Sequence, residues 1–202
     1  MATNTKPGRS PSRGKWQGYR TIFSVDAMGS TKWTNGEKEV GRALMYRLVG
    51  DAFESCGIKP HYCDPLVDRG DGILALIRPL DEVPKTLVLG TMIPKLRELL
   101  AGEVESELRS PLRLRAVLHA GEVHDDGRGP FGEALDSAFR LLESREVKRF
   151  DEVDSPLLLV ISDDIYRTVV LQYFAGEAIR FEPIRRKDDR NGNVYRGWVL
   201  SS

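Results

Sequence analysis

Two short apolar runs, each bounded by an aspartate and a glycine, constrain this chain more than any other feature. The first, Thr21-Ile22-Phe23-Ser24-Val25, is closed by Asp26 and followed by the small-residue turn Ala27-Met28-Gly29-Ser30-Thr31. The second, Ile73-Leu74-Ala75-Leu76-Ile77, opens directly after Arg69-Gly70-Asp71-Gly72. Runs of this length, apolar and punctuated by glycine, predict buried strands. Each carboxylate then sits at the edge of a strand, beside glycines that let a ligand approach the backbone. Hard divalent cations such as magnesium and manganese take oxygen ligands, commonly one or two carboxylates plus substrate phosphates. Asp26 and Asp71 on neighbouring strands are therefore candidate metal ligands.

The rest of the chain supplies a frame for those two strands. Tyr19–Val25 predicts the first strand. Val40, Ala43, Leu44, Leu48, Ala52 and Phe53 recur at helical spacing, predicting a helix over 37–55 that stops at Gly57. Residues 58–67 and 72–78 read as a hairpin closed by Asp68-Arg69-Gly70-Asp71. A second helix is expected over 83–101, with Pro84 in its first turn and a kink or break near Met92 forced by Pro94. Leu112–Val123 alternates apolar and polar residues, as a half-buried strand does. A helix over 132–144, a short central strand Leu157–Ile161, a helix capped by Ser162, and a terminal hairpin around Asn191-Gly192 complete the order. The sequence of elements is β-α-β-β-α-β, then α-β-α-β-β. That predicts an α+β fold with a ferredoxin-like βαββαβ core, helices on one face of its sheet, and a C-terminal extension.

With 202 residues, the chain is long enough to bury a core as one domain. Residues 1–18 carry Lys6, Arg9, Arg13 and Lys15 among Pro, Ser and Gly, without the apolar stretch of a signal peptide. They are expected to form a disordered basic tail, with a binding arm as the alternative. The chain is formally neutral, so no global basic field argues for nucleic acid or an anionic membrane. No apolar stretch has the length of a membrane span. Cys56 and Cys63 lack metal or redox spacing and are expected to be free thiols of a cytoplasmic protein.

Three further features bear on chemistry. The turn 27–31 offers backbone N–H groups for phosphate oxygens, chiefly at Gly29, Ser30 and Thr31, and the last two add hydroxyl donors. On the helix 132–144, Asp136 and Arg140 stand four apart and share a face. They form either a surface ion pair or a unit in which Arg140 stabilises charge on a reacting phosphate. His119 and His124 fall on opposite faces of a strand, which argues against a shared metal. Asp163 and Asp164 read as first-turn residues of a helix, and Gly127-Arg128-Gly129 is too short for a phosphate-binding fingerprint.

The chain resembles a class III nucleotidyl cyclase catalytic domain over about residues 19–170. The resemblance rests on Phe23–Thr31, on Gly70-Asp71-Gly72, on Leu114–Val123 and on Phe131–Leu141, in that order and at the family's spacing. It implies that residues 19–202 are one catalytic domain that cyclises a nucleoside triphosphate to a 3′,5′-cyclic monophosphate with release of pyrophosphate. It further implies two divalent cations, Mn2+ or Mg2+, on Asp26, Asp71 and the Ala27 carbonyl. Arg140 would act on the α-phosphate, and two sites would lie between the subunits of a homodimer. The absence of a Gly-Gly-Asp/Glu-Glu-Phe signature at the hairpin sets the related diguanylate cyclases aside.

Two departures matter. Asp136 stands where the family usually has an asparagine, and an anion cannot donate a hydrogen bond to ribose. Val67 and Gly129 stand where purine cyclases carry the polar side chains that read the base. A small chain without those readers is similar to pyrimidine cyclases of the Pycsar antiphage type, which make cyclic UMP or cyclic CMP. Arg69, Asp68 and Tyr62 are then candidate base contacts, or simply hairpin and packing residues. The alternatives are a cyclase-like module that binds nucleotide or regulates a partner without turnover, and an adenylate or guanylate cyclase.

Overall fold

In the computed structural model the described residues are 15–103, 108–151, 153–176, 179–188 and 192–200. The first strand, β1 (Trp16–Ala27), starts three residues before the expected Tyr19, so Trp16, Gln17 and Gly18 belong to the sheet and not to a tail. The Trp16 ring lies against the Arg20 guanidinium at 4.2 Å. Residues 1–14 of the expected tail lie outside the described residues.

After β1 comes α1 (Asn35–Ser55), which begins in a capping box. The Thr34 hydroxyl accepts from the Glu37 N–H, and the Glu37 carboxylate accepts from the Thr34 N–H. Gly57, with φ of 70°, supplies the left-handed turn that ends the helix. The expected strand over 58–67 is mostly absent. Pro60 opens a single 3-10 turn, Cys63 makes an isolated bridge to Ile77, and only β2 (Val67–Asp68) pairs with β3 (Gly72–Ile77). Pro60 and Pro65 have no N–H to give to a ladder, which explains the shortening.

The second helical region starts with α2 (Lys85–Leu87), widens into a π-helical turn over Val88–Met92, and continues as α3 (Ile93–Gly102). Pro94 thus disturbs the helix where expected, but the wide turn absorbs the disturbance and the chain stays helical. Next come β4 (Leu114–Asp125), β5 (Pro130–Phe131), α4 (Glu133–Leu142), α5 (Arg145–Lys148) and β6 (Leu157–Ser162). The Ser162 hydroxyl caps α6 (Asp163–Ile165), as expected. A π-helical turn, α7 (Leu171–Tyr173) and the hairpin β7 (Phe181–Lys187) to β8 (Val194–Leu200) follow. Asn191 lies outside the described residues.

Among the described residues, eight strands form one sheet in the order β2-β3-β1-β4-β6-β8-β7, with β5 beside β4. The first four strands have the expected ferredoxin-like order and are antiparallel. β6 lies parallel to β4, reached by a crossover through α4. Both faces of the sheet are covered. Phe23, Val25, Ile73, Ile77, Leu114 and Leu118 pack with α1 and α3, while Ile22, Leu74, Leu76 and Val117 pack with α4 on the other side. β4 is therefore buried on two faces, not half-buried as its alternation suggested. Cys56 and Cys63 are free thiols. No helix among the described residues is long and apolar enough to cross a membrane.

The close approach of β3 to β1 depends on Gly72. A Cβ there would lie 2.5 Å from the Val25 carbonyl oxygen, a main-chain atom that cannot swing aside. Gly72→Ala should therefore destabilise the fold by about 1–3 kcal/mol, read as a lower urea midpoint. An unchanged midpoint would mean that the strands have slack at this point.

Candidate active site

Asp26 ends β1, and the sheet register sets it directly across from Gly72 on β3 and Arg115 on β4. The next residue ties the strand to the hairpin: the Ala27 N–H donates to the Asp71 carbonyl at 2.8 Å. Asp71 itself sits in a tight turn made by Gly70, with φ of 83°. The two carboxylates expected to converge are thus brought to the same end of the sheet. The turn after β1 pivots on Gly29, with φ of 76°.

Ser30 departs from its expected role. Its hydroxyl is buried and donates to the Asp71 carboxylate at 2.6 Å, so it orients a carboxylate rather than waiting for a phosphate. The Ala27 and Met28 N–H groups are likewise committed, to the carbonyls of Asp71 and Arg113. These two N–H groups are therefore not available as donors to an anion at this turn. Ala27, Ser30, Thr31, Gly70 and Asp71 line one cavity of about 350 Å³, with Lys38 of α1 also on its wall.

The electrostatics of Asp26 are unusual. Its Oδ1 is buried without a hydrogen-bond donor. Its Oδ2 lies 3.6 Å from Nη1 of Arg115, a residue only 7% exposed. Burial pushes the Asp26 carboxyl up from 3.8 to about 6; Arg115 opposes the rise and Asp71 adds to it. A buried carboxylate oxygen without a donor calls for a partner, and a cation is one that can supply it. Asp26, Asp71 and the Ala27 carbonyl offer only oxygen, the donor type that magnesium and manganese take. No group of three or more His, Cys, Asp or Glu side chains able to hold a metal occurs among the described residues, so a cation here needs further oxygens from a bound molecule or water.

Arg140 and Asp136 line a separate cavity of about 400 Å³, with Arg186, Lys187 and Asp188. The carboxylate that pairs with Arg140 is Asp188, beyond the end of β7, and not Asp136 one turn away. The Arg140 guanidinium also stands 5.4 Å from the Tyr195 ring. The expected i,i+4 ion pair is therefore replaced by a contact between α4 and the C-terminal hairpin. That hairpin adds two cations, Arg186 and Lys187, to the wall of the Arg140 cavity.

The candidate base contacts separate. Arg69 turns away from the Asp71 cavity; its guanidinium lies 3.5 Å from the Phe139 ring centre and 3.7 Å from Glu143. Asp68 accepts from Arg42 and from the Gly70 N–H, closing the hairpin. Tyr62 packs edge-on to His61 in the 3-10 turn. Val67 lines a third cavity, of about 190 Å³, together with Pro130, the residue after Gly129. Trp16, Asp64, Arg78 and Asp125 line it too. Val67 thus lines a small cavity with polar walls supplied from elsewhere in the chain, and Gly129 itself is not among its lining residues.

Among the residues that the sequence alone did not single out, Arg115 and Asp151 stand out. Arg115 Nη2 donates to both Asp151 oxygens, at 2.8 and 2.7 Å. The one sequence signal was an arginine within the otherwise apolar run Leu114–Leu118. His119 faces Ser162, with Nδ1 2.8 Å from its hydroxyl, and His124 stacks on Phe131; the two share no site.

Comparison with solved structures gives the fold a context. The guanylate cyclase domain of RhGC from Catenaria anguillulae, solved with GTP, aligns with a TM-score of 0.61 at 14% identity, covering 94% of this chain and 99% of that one. An adenylate/guanylate cyclase/hydrolase from Silicibacter pomeroyi aligns at 0.63 and 18% identity, covering 94% and 99%. The adenylyl cyclase CyaB from P. aeruginosa aligns at 0.61 and 13%, covering 94% and 97%. No family model matches the sequence, and no curated protein does. The chain therefore has the fold of nucleotidyl cyclase catalytic domains, across nearly its whole length.

The raised carboxyl makes a prediction for the cation-free protein. A folded value of about 6 against 3.8 means that the native chain holds its proton longer than the unfolded chain. The stability from this difference is fully present below about pH 3.8 and is lost as pH rises through about 6. In EDTA at pH 8, Asp26→Asn should therefore raise Tm by roughly 2–8 °C, and the gain should shrink toward pH 5. An equal or lower Tm at pH 8 would contradict the buried, unsatisfied carboxylate.

Proposed function

We propose that the chain converts a nucleoside triphosphate to its 3′,5′-cyclic monophosphate and pyrophosphate. The ribose 3′ oxygen bonds to the α-phosphorus as its proton leaves. The bond from that phosphorus to the bridging oxygen breaks, and the electron pair departs with pyrophosphate. The observation that carries this proposal is the convergence of Asp26 and Asp71 at one end of the sheet, with an unsatisfied buried oxygen on Asp26, on a fold shared with nucleotidyl cyclases.

Asp26, Asp71 and the Ala27 carbonyl would hold two divalent cations, Mn2+ or Mg2+. Such ions acidify a bound hydroxyl and neutralise phosphate charge. The chain's own groups do the rest. Gly29–Thr31 offer main-chain N–H groups to phosphate oxygens, Ser30 keeps Asp71 oriented, and the buried Arg115 contributes positive charge beside Asp26. Arg140 stabilises charge on the α-phosphate, and Arg186 and Lys187 reinforce it. Arg140 and Asp71 line different cavities of one chain, which favours a homodimer with each site built from Asp26 and Asp71 of one subunit and Arg140 of the other.

The proposed substrate is a pyrimidine triphosphate, because Val67 and Gly129 stand where purine cyclases carry their base-reading side chains; a small cavity lies beside Val67 and Pro130. Its polar walls come from Asp64, Arg78 and Asp125, not from the positions that read purines in class III enzymes. With the resemblance to Pycsar-type enzymes, the product would be cyclic UMP or cyclic CMP made in the cytoplasm as an antiphage signal. One observation favours the second reading, a nucleotide-binding module with impaired turnover: Arg140 already has a carboxylate partner in Asp188.

Purified protein with Mn2+ and each of ATP, GTP, CTP and UTP tests this by mass spectrometry of the products. A cyclic pyrimidine nucleotide is expected; a cyclic purine as main product would overturn the base assignment, and no cyclic product would overturn the reaction. Asp26→Ala and Arg140→Ala should each be inactive, yet mixing them in equal amounts with subunit exchange should restore about a quarter of wild-type activity, the share of intact sites in a random population of two-fold dimers. No restoration would argue against shared sites.

A further inference from the structure

Arg115 has a choice of two carboxylates, and the structure shows which it takes. Its guanidinium is almost wholly buried at the same end of the sheet as Asp26, where a charge needs a partner. Asp26 stands directly across the register, 3.6 Å away at its nearest nitrogen. Asp151, after α5, holds Nη2 through both of its oxygens at 2.8 and 2.7 Å. The guanidinium is thus committed to Asp151, and Asp26 Oδ1 and Arg115 Nε are left buried without hydrogen bonds.

The Asp151 side chain has no evident task in holding its own loop. Arg113, two residues before Arg115, already does that through main-chain carbonyls. Its Nε donates to Ser155 at 3.0 Å, and its Nη2 donates to Asp151 at 2.9 Å and to Val153 at 2.5 Å. With the loop pinned by Arg113, the Asp151 carboxylate is available for Arg115.

We infer that Asp151 is a positioning residue that keeps the Arg115 guanidinium off Asp26, so that Asp26 stays open to a divalent cation. This rests on the proposed role of Asp26 as a metal ligand. Without the Asp151 charge, Asp26 is the remaining carboxylate in ion-pair reach of Arg115 among the described residues. The arginine fork then closes on it and competes with the cation.

Direct Mn2+ binding tests this without turnover. Free Mn2+ is followed by electron paramagnetic resonance as it is titrated into the full chain, with no nucleotide present. Asp151→Asn should weaken Mn2+ binding by about ten- to a hundredfold, the usual effect of losing a group that orients a ligand. Adding Arg115→Met to that variant should restore binding, because the competing cation is gone. If Asp151→Asn does not fold, Asp151→Glu and Asp151→Gln carry the same comparison at equal size, with tighter binding expected for the glutamate. Wild-type binding that Asp26→Asn abolishes but Asp151→Asn leaves unchanged would overturn this inference alone. Failure of Arg115→Met to restore binding would overturn it equally. Wild-type binding no tighter than that of Asp26→Asn would overturn the metal role of Asp26, and the inference with it.

Discussion

The architecture of the site depends on how closely β3 approaches β1. Gly72 faces the Val25 carbonyl with no Cβ between them, and the Ala27 N–H reaches the Asp71 carbonyl one residue further along. These two contacts decide that Asp26 and Asp71, separated in the chain by the whole of α1 and by β2, end at the same place. A side chain at position 72 would separate the strands and with them the carboxylates. The helices α1 and α3 on one face and α4 on the other then bury the strands that carry both residues.

Charge is handled by pairing arginines with aspartates across the fold. Arg115 is held by Asp151, and Arg140 by Asp188. Asp26 shares Arg115 at the longer distance of 3.6 Å, keeps one oxygen unsatisfied, and has a carboxyl that burial pushes to about 6. Leaving a buried carboxylate oxygen bare costs stability, and proteins tolerate that cost mainly where a ligand or ion completes the group. The imbalance at Asp26 is what motivates the proposed cation site.

Much of this was legible in the sequence, and the limits have physical causes. The two apolar runs placed Asp26 and Asp71 correctly because strand ends are marked locally, by glycine and by the change in polarity. Pro94 announced a disturbance, but whether a helix breaks or widens into a π turn is decided by what packs on it. The strand expected over 58–67 failed because its apolar content outweighed two prolines that cannot join a ladder. β4 looked half-buried because nothing local reveals that α4 returns to cover its second face. The partners of Arg115 and Arg140 were invisible for the same reason: Asp151 is 36 residues from the first, and Asp188 is 48 from the second. Ser30 was read as a phosphate donor because its turn was recognised, but the direction of its hydroxyl was not.

The central claim is that the ends of β1 and β3 form one cation site that acts on a triphosphate. Anomalous scattering from Mn2+ in crystals grown with a non-hydrolysable nucleoside triphosphate tests it most directly. The account predicts density between the carboxylates of Asp26 and Asp71, in contact with phosphate oxygens. Manganese bound to the triphosphate but away from both aspartates would contradict it.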